Sequence, residues 1–269
     1  MGDKWCRSRL FVLFLICSVL SLAVGCAPTG QSAATTDSIL PDKNVLRVGV
    51  TTSSPPLIFR QTNQIAGLEA DLARELAAYL GKSLRFVELK WEDQIPALLE
   101  NRIDIIMSGM TITTLREVRI SFSIPYFESG QMALIRRQDA ARYSTGLFAF
   151  ATSSAIGAIK DTTGAFYVET QFSSIKRKLY TNTGAAVKNL INKDIDLFIH
   201  DGPMILYLAS ENESKGLTAL FTPLTREYLA WGIRKDNVAL LDSANNFLRS
   251  FNEAGKLSRV IKFWIPLAK

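Results

Sequence analysis

The chemistry of this sequence gathers around one arginine. Arg116 follows a hydroxyl-rich stretch (Thr111, Thr113, Thr114), which itself follows a small-residue turn (Ser108, Gly109) and an apolar run at 103–107. The run has the length and branching of a buried strand. Thr114 and Glu117 fit the S/T-x-x-E capping pattern, so Arg116 is expected in the first turn of a short helix. Free backbone N–H groups, hydroxyls and one guanidinium then meet at the carboxyl end of a strand, which is where open α/β sheets bind ligands. A guanidinium fork matches a carboxylate bidentately, so this segment suits a small molecule that carries one.

Asp201 is the second candidate. It follows an apolar run at 197–200, where an unpaired carboxylate is costly to bury and a bound cation removes the cost. Capping a helix ahead of Pro203 is an equally sensible use of the same residue. His200 beside it is the only histidine, and a lone histidine after an apolar strand is more often structural than catalytic. The three cysteines, Cys6, Cys17 and Cys26, all lie near the start, which leaves the rest of the chain without disulfide or thiol chemistry. There is no His/Cys cluster for zinc, no glycine-rich phosphate loop and no serine nucleophile elbow, and no cofactor is expected.

The elements that must hold these residues can be read in outline. Strands are expected at 45–50, 84–89 and 103–107. Between them lie a helix carrying Leu68, Leu72, Leu76 and Leu80, stopped by Gly81, and a short helix carrying Ile95, Leu98 and Leu99. This β-α-β-α-β order implies a mostly parallel sheet covered by helices. Further on, a strand is expected at 155–159, helices at 164–172 and 183–191, and a strand at 197–200. The chain then returns through 228–233 to helices at 238–254 and 257–263. Residues 98–109 (LLENRIDIIMSG) align without gaps on 190–201 (LINKDIDLFIHD), which places Gly109 and Asp201 at equivalent strand ends. Two similar sheets facing each other would bring those ends to one cleft.

Residues 104–126 resemble the signature of the bacterial extracellular solute-binding proteins of the amino-acid type, the receptors of ABC importers. The likeness extends upstream to Gly67-Leu68-Glu69-Ala70-Asp71-Leu72-Ala73, Trp91 and Ile95-Pro96-Ala97-Leu98, and downstream through Phe122-Ser123-Ile124-Pro125-Tyr126. It covers about residues 45–266. The resemblance implies a two-lobed α/β periplasmic-binding-protein fold (Venus flytrap, type II), each lobe a mostly parallel sheet with flanking helices. Lobe 1 is expected at 45–136 plus 226–269 and lobe 2 at 137–225, joined by two crossings that act as a hinge. It further implies that Arg116 clamps an α-carboxylate and that Asp201 receives the α-ammonium. Gly109 and Thr111 would touch both groups through backbone and hydroxyl, with Ser108 beside them. Trp91 would be packed on the ligand side chain, although most tryptophans are core residues. Thr162, with Thr163, would open the second-lobe helix towards the carboxylate.

Departures from the family pattern bear on the ligand. Asp161 stands where a glycine is usual. Thr51 and Ser54 replace the acid and the aromatic common in relatives for basic amino acids, which favours a polar, neutral or larger ligand. Glu69, the remaining nearby acid, reverses that argument if it reaches the cleft. The implied function is that of an importer's substrate-binding component, not an enzyme, delivering a small zwitterion to a membrane permease. The implied form is a monomer. A cyclohexadienyl-dehydratase-like enzyme on the same fold is the alternative, with Glu69, Asp161 or Glu128 as general acid. A separate-chain sensory module is a third reading.

The start of the chain fits that setting. Lys4, Arg7 and Arg9 precede an apolar run at 10–24 that is short for a membrane span, so residues 1–25 read as a secretory signal. Ala23-Val24-Gly25-Cys26 resembles a lipobox, with Ala23 where leucine is commoner, and implies acylation of Cys26; Ala-x-Gly is also compatible with ordinary signal cleavage. Residues 26–44 then form the lipidated cysteine and a tether rich in Ala, Thr, Ser and Pro. The expected location is the cell envelope, in the periplasm or on the outer face of the membrane. Loss of residues 1–25 removes three positive charges and one negative, taking the net charge from +6 to +4. The remainder carries no basic stripe of the nucleic-acid-binding kind.

Overall fold

The computed structural model describes residues 44–143 and 147–266. The expected signal segment, Cys26 and most of the tether lie outside the described residues.

The described chain opens with β1 (Val45–Val50), whose Leu46, Val48 and Val50 are buried. Three short strands follow as an antiparallel sheet, β2 (Ser53–Ser54), β3 (Ile58–Gln61) and β4 (Gln64–Ala66). α1 (Leu68–Tyr79) buries Leu68, Leu72 and Leu76 completely, one residue per turn on a single face. Each such leucine contributes about 1.5–3 kcal/mol by leaving water. Gly81, at φ 62°, turns the chain out of that helix. β5 (Ser83–Glu88), α2 (Gln94–Leu99), β6 (Ile105–Ile106), α3 (Thr114–Glu117) and β7 (Ser121–Phe122) complete the first run.

β8 (Phe127–Ser129) leads to β9 (Gln131–Arg136), every residue of which is buried. After α4 (Leu147–Phe150) come β10 (Ala155–Ile159), α5 (Thr163–Gln171), β11 (Lys176–Tyr180), α6 (Thr183–Ile191), β12 (Leu197–Asp201), α7 (Gly202–Glu211) and β13 (Leu217–Leu220). β14 (Glu227–Leu229) and β15 (Gly232–Ile233) bring the chain back to α8 (Val238–Glu253) and α9 (Lys256–Trp264).

Two five-stranded sheets result, ordered β5-β1-β6-β15-β7 and β11-β10-β12-β9-β13. In the first, β5, β1 and β6 are parallel and β15 runs against both its neighbours. In the second, β11, β10 and β12 are parallel and β9 runs against both of its own. Each sheet is therefore mostly parallel, and the two share one plan. The sequence echo is a real structural repeat, because β6 and β12 hold the third position of their sheets. Alternate residues of the second sheet feed its two faces. Leu134 and Phe198 join one cluster, and Ala133, Ile135, Leu197 and Ile199 join the other.

The chain passes between lobes through β8 and β14, which pair antiparallel with Ser129 opposite Glu227. The first crossing comes earlier than expected. Gln131–Arg136 belongs to the second sheet, so lobe 2 begins before 137, because six buried residues in a row need the two-sided cover that only that sheet offers. No described helix is long and apolar enough to cross a membrane.

Candidate ligand-binding site

A cavity of about 710 Å³ lies between the lobes. Trp91, Ser108, Gly109, Thr111 and Arg116 line it from the first lobe, and Thr162 and Asp201 line it from the second. Glu69 does not reach it.

α3 holds Arg116, and its cap is Thr113 rather than the expected Thr114. Thr113 has extended backbone, and its hydroxyl accepts the Arg116 N–H at 3.3 Å. The capping box fails because the third helical residue after Thr113 is Arg116, which has no carboxylate to return the bond. Arg116 Nη1 donates to the Thr111 carbonyl at 2.8 Å, and the guanidinium lies 5.2 Å from the centre of the Trp91 ring. Burial lowers the Arg116 pKa, while the charges of Asp201 and Glu227 oppose that shift.

Thr111 bridges Leu229 across the sheet edge. The flanking bonds run from Ile112 N–H to the Tyr228 carbonyl (2.9 Å) and from Ala230 N–H to the Met110 carbonyl (3.0 Å). Thr111 thus sits in the non-hydrogen-bonded position, with its own N–H and C=O turned away from Leu229. The carbonyl receives Arg116, so the N–H on the same side is a donor beside the guanidinium. Together they can meet both oxygens of one carboxylate.

Gly109 needs its positive φ of 68°, and a Cβ there would stand 2.7 Å from Leu57 Cδ1. Its N–H donates to Glu69 Oε1 at 2.7 Å, so any part it plays in ligand binding falls to its carbonyl. Glu69 is fully buried and also accepts from Tyr126 Oη (2.7 Å) and Trp231 Nε1 (2.9 Å). It anchors the Gly109 turn from below, which corrects its expected place among the ligand contacts. Burial raises its pKa to about 7, against the lowering effect of the three hydrogen bonds. Ser108 Oγ accepts the Thr51 N–H at 2.8 Å, which leaves its own hydrogen to donate.

On the second lobe, Asp201 occupies the N-cap position of α7 but its side chain caps nothing. It accepts from Gln131 Nε2 at 2.6 Å, and His200 Nδ1 lies 3.5 Å from its Oδ2. Burial pushes its carboxyl up, but His200, Gln131 and the Arg116 charge outweigh burial and hold it below the usual carboxylate range. Asp201 therefore stays ionised and can receive an ammonium. Thr162 caps α5: its Oγ accepts the Ala165 N–H at 3.2 Å and donates to the Ile159 carbonyl at 2.7 Å. That leaves its hydroxyl no hydrogen for a ligand. Asp161 takes φ 60°, the conformation that explains the usual glycine, and its carboxylate turns to Lys160 at 3.8 Å. Its carbonyl accepts Trp91 Nε1 at 2.9 Å across the cleft, so Trp91 ties the two lobes as well as lining the site.

Sequence reasoning missed Gln131 and Glu227. Gln131 had a signal, since a polar residue heading the apolar run QMALIR asks for a buried partner. Glu227 had none, because its partners Thr111, Thr163 and Thr225 are brought together only by the hinge. Among the described residues no cluster of metal-ligating side chains occurs.

Two lobes closing on a guanidinium from one side and a carboxylate from the other define a receptor for a small charged solute. The chain belongs to the bacterial extracellular solute-binding proteins, family 3, whose model matches residues 46–266. It is 28% identical over 261 residues to a probable histidine-binding protein of Neisseria gonorrhoeae, covering 96% of this chain and 93% of that one. It is 27% identical over 226 residues to the ABC transporter arginine-binding protein 1 of Escherichia coli (strain K12), covering 82% and 90%. Among solved structures it is similar to an ancestral amino acid-binding protein described as a precursor of cyclohexadienyl dehydratase. That match has a TM-score of 0.75 and 29% identity, and covers 82% of this chain and 95% of that one.

Proposed function

We propose that this chain is the substrate-binding component of an ABC importer, taking an α-amino acid between its lobes and delivering it to a membrane permease. One observation carries the reading: Arg116 and Asp201, of opposite charge and on opposite lobes, line one cavity and feel each other's field. A ligand with both a carboxylate and an ammonium satisfies both lobes at once, and only in the closed form. Thr52, Ser53, Ser54 and Asn182 also line the cavity, which supports a hydrogen-bonding ligand side chain. Acylation at Cys26 would hold the receptor as a monomer at the outer face of the membrane, close to its permease.

The dehydratase reading needs a proton-donating acid facing the ligand. Glu69 lies beneath the cavity, Glu128 is exposed and clamped by Arg226 at 2.8 Å, and Asp161, which lines the cavity, has its carboxylate 3.8 Å from the Lys160 ammonium. No observation favours that chemistry over binding.

Thermal unfolding in the presence of each standard amino acid, a few dicarboxylates and prephenate tests the proposal. A true ligand at a hundred times its Kd should add about 2.7 kcal/mol. Stabilisation by an amino acid supports transport binding, whereas stabilisation by prephenate alone, with its conversion, overturns it.

A further inference from the structure

Glu227 lies at the hinge, outside the cavity lining, yet it decides what two cavity hydroxyls can offer. Thr111 Oγ1 of the first lobe and Thr163 Oγ1 of the second both donate to Glu227 Oε2, at 2.8 and 3.0 Å. Thr225 Oγ1 donates to Oε1 at 2.8 Å. Thr111 and Thr163 both line the cavity. A hydroxyl has one hydrogen, and an ionised carboxylate accepts only. With its hydrogen committed to Glu227, each hydroxyl can turn only lone pairs towards the cleft.

The second lobe reinforces this polarity. Gln131 Nε2 donates to Thr163 Oγ1 at 3.1 Å and to Asp201 Oδ1 at 2.6 Å. Flipping that amide would set its carbonyl against the Asp201 carboxylate, so the two acceptors fix its orientation. Gln131 is fully buried and its Oε1 has no partner among the described residues, a cost accepted for holding both acceptors in place. An unbroken line of hydrogen bonds thus joins Thr111, Glu227, Thr163, Gln131 and Asp201 across the hinge.

We propose that Glu227 is a specificity-determining residue: by taking the hydrogens of Thr111 and Thr163 it makes both hydroxyls acceptors, so the cleft selects a ligand bearing a protonated amine. The inference rests on the amino-acid reading of the cleft. It divides the role expected of Thr111: the hydroxyl serves the ammonium, and the N–H joins Arg116 at the carboxylate.

The test compares two affinities in the full chain. The standard L-amino acids are titrated into the wild type, and the tightest binder is set against its deamino acid, first in the wild type and then in Glu227→Gln. The glutamine offers NH₂ donors to these hydroxyls, freeing at least one to donate into the cleft. The preference for the amine-bearing ligand should fall by about tenfold or more. A purely structural role weakens both ligands alike, and an unchanged ratio overturns the inference while leaving amino-acid binding intact. Thr163→Val, which keeps Glu227, should also lower the preference, and Thr163→Ser should restore it. If Glu227→Gln does not fold, equal ratios in those two variants overturn the inference. If no amino acid binds the wild type, the proposed function and this inference fall together.

Discussion

Glu69 is the residue on which the site's floor depends. Its carboxylate takes three donors, from Gly109, Tyr126 and Trp231. Glu69→Gln replaces Oε2 or Oε1 by an amino group, which confronts a buried N–H or O–H donor with another donor. The expected loss is about 1–3 kcal/mol of stability, read as a lower Tm. The same residue gives a pH dependence with a definite sign. Its pKa is 4.5 in the unfolded chain and about 7 in the fold, so between those values the folded state holds the extra proton. Stability is fully present below the lower value and falls as pH rises through the upper one, by roughly 3 kcal/mol in all. Unfolding measured near both ends of that window should show the decline in the wild type, and Glu69→Gln should flatten it. A flat wild-type profile would contradict the assignment. Asp201 behaves oppositely: its carboxyl is held low, so ligand binding should persist into mildly acidic buffer and fail only when that group protonates. Asp201→Asn should weaken amino acids far more than simple carboxylates, as calorimetric titration of both would reveal.

At the scale of elements, the turn that carries the site is more demanding than the helices around it. Gly109→Ala places a Cβ 2.7 Å from Leu57 Cδ1 on a backbone with φ 68°, and about 1–2 kcal/mol of destabilisation should follow, measured by denaturant unfolding. A variant as stable as the wild type would show that the turn relaxes. Elements with strong periodicity were legible in the sequence. The leucines of α1 gave that helix, and the apolar runs gave β1 and β10 at their observed bounds. β9 and β11 were not legible, β9 because it begins directly after the first crossing and β11 because Lys176, Arg177 and Lys178 hide its pattern. The cleft residues Arg116, Asp201, Thr111 and Trp91 were legible through the signature they resemble. What each does was less so. A hydroxyl or an amide can be counted from sequence, but whether its hydrogen is already committed, as at Thr162 and Gly109, depends on neighbours brought in by the fold.

At the scale of the molecule, two sheets of one plan meet across a hinge made by β8 and β14. Contacts between the lobes pair Trp91 with the Asp161 carbonyl and Thr111 and Thr163 with Glu227. Closure should therefore be shared between protein contacts and ligand. Trp91→Phe, which loses the bond to Asp161 and keeps a ring beside Arg116, should leave the fold intact and weaken amino-acid binding, by up to about tenfold. Small-angle scattering should show a larger radius of gyration for this variant that shrinks again at saturating amino acid. The central claim is that the cleft grips both charged ends of an amino acid, one from each lobe. The most direct test is calorimetric titration of the tightest-binding amino acid into the wild type and into Arg116→Ala. One site per chain is expected, with a loss of about 3–5 kcal/mol of binding free energy on removing the guanidinium, since the carboxylate is then desolvated without its partner. Equal affinity in the two proteins would contradict the claim.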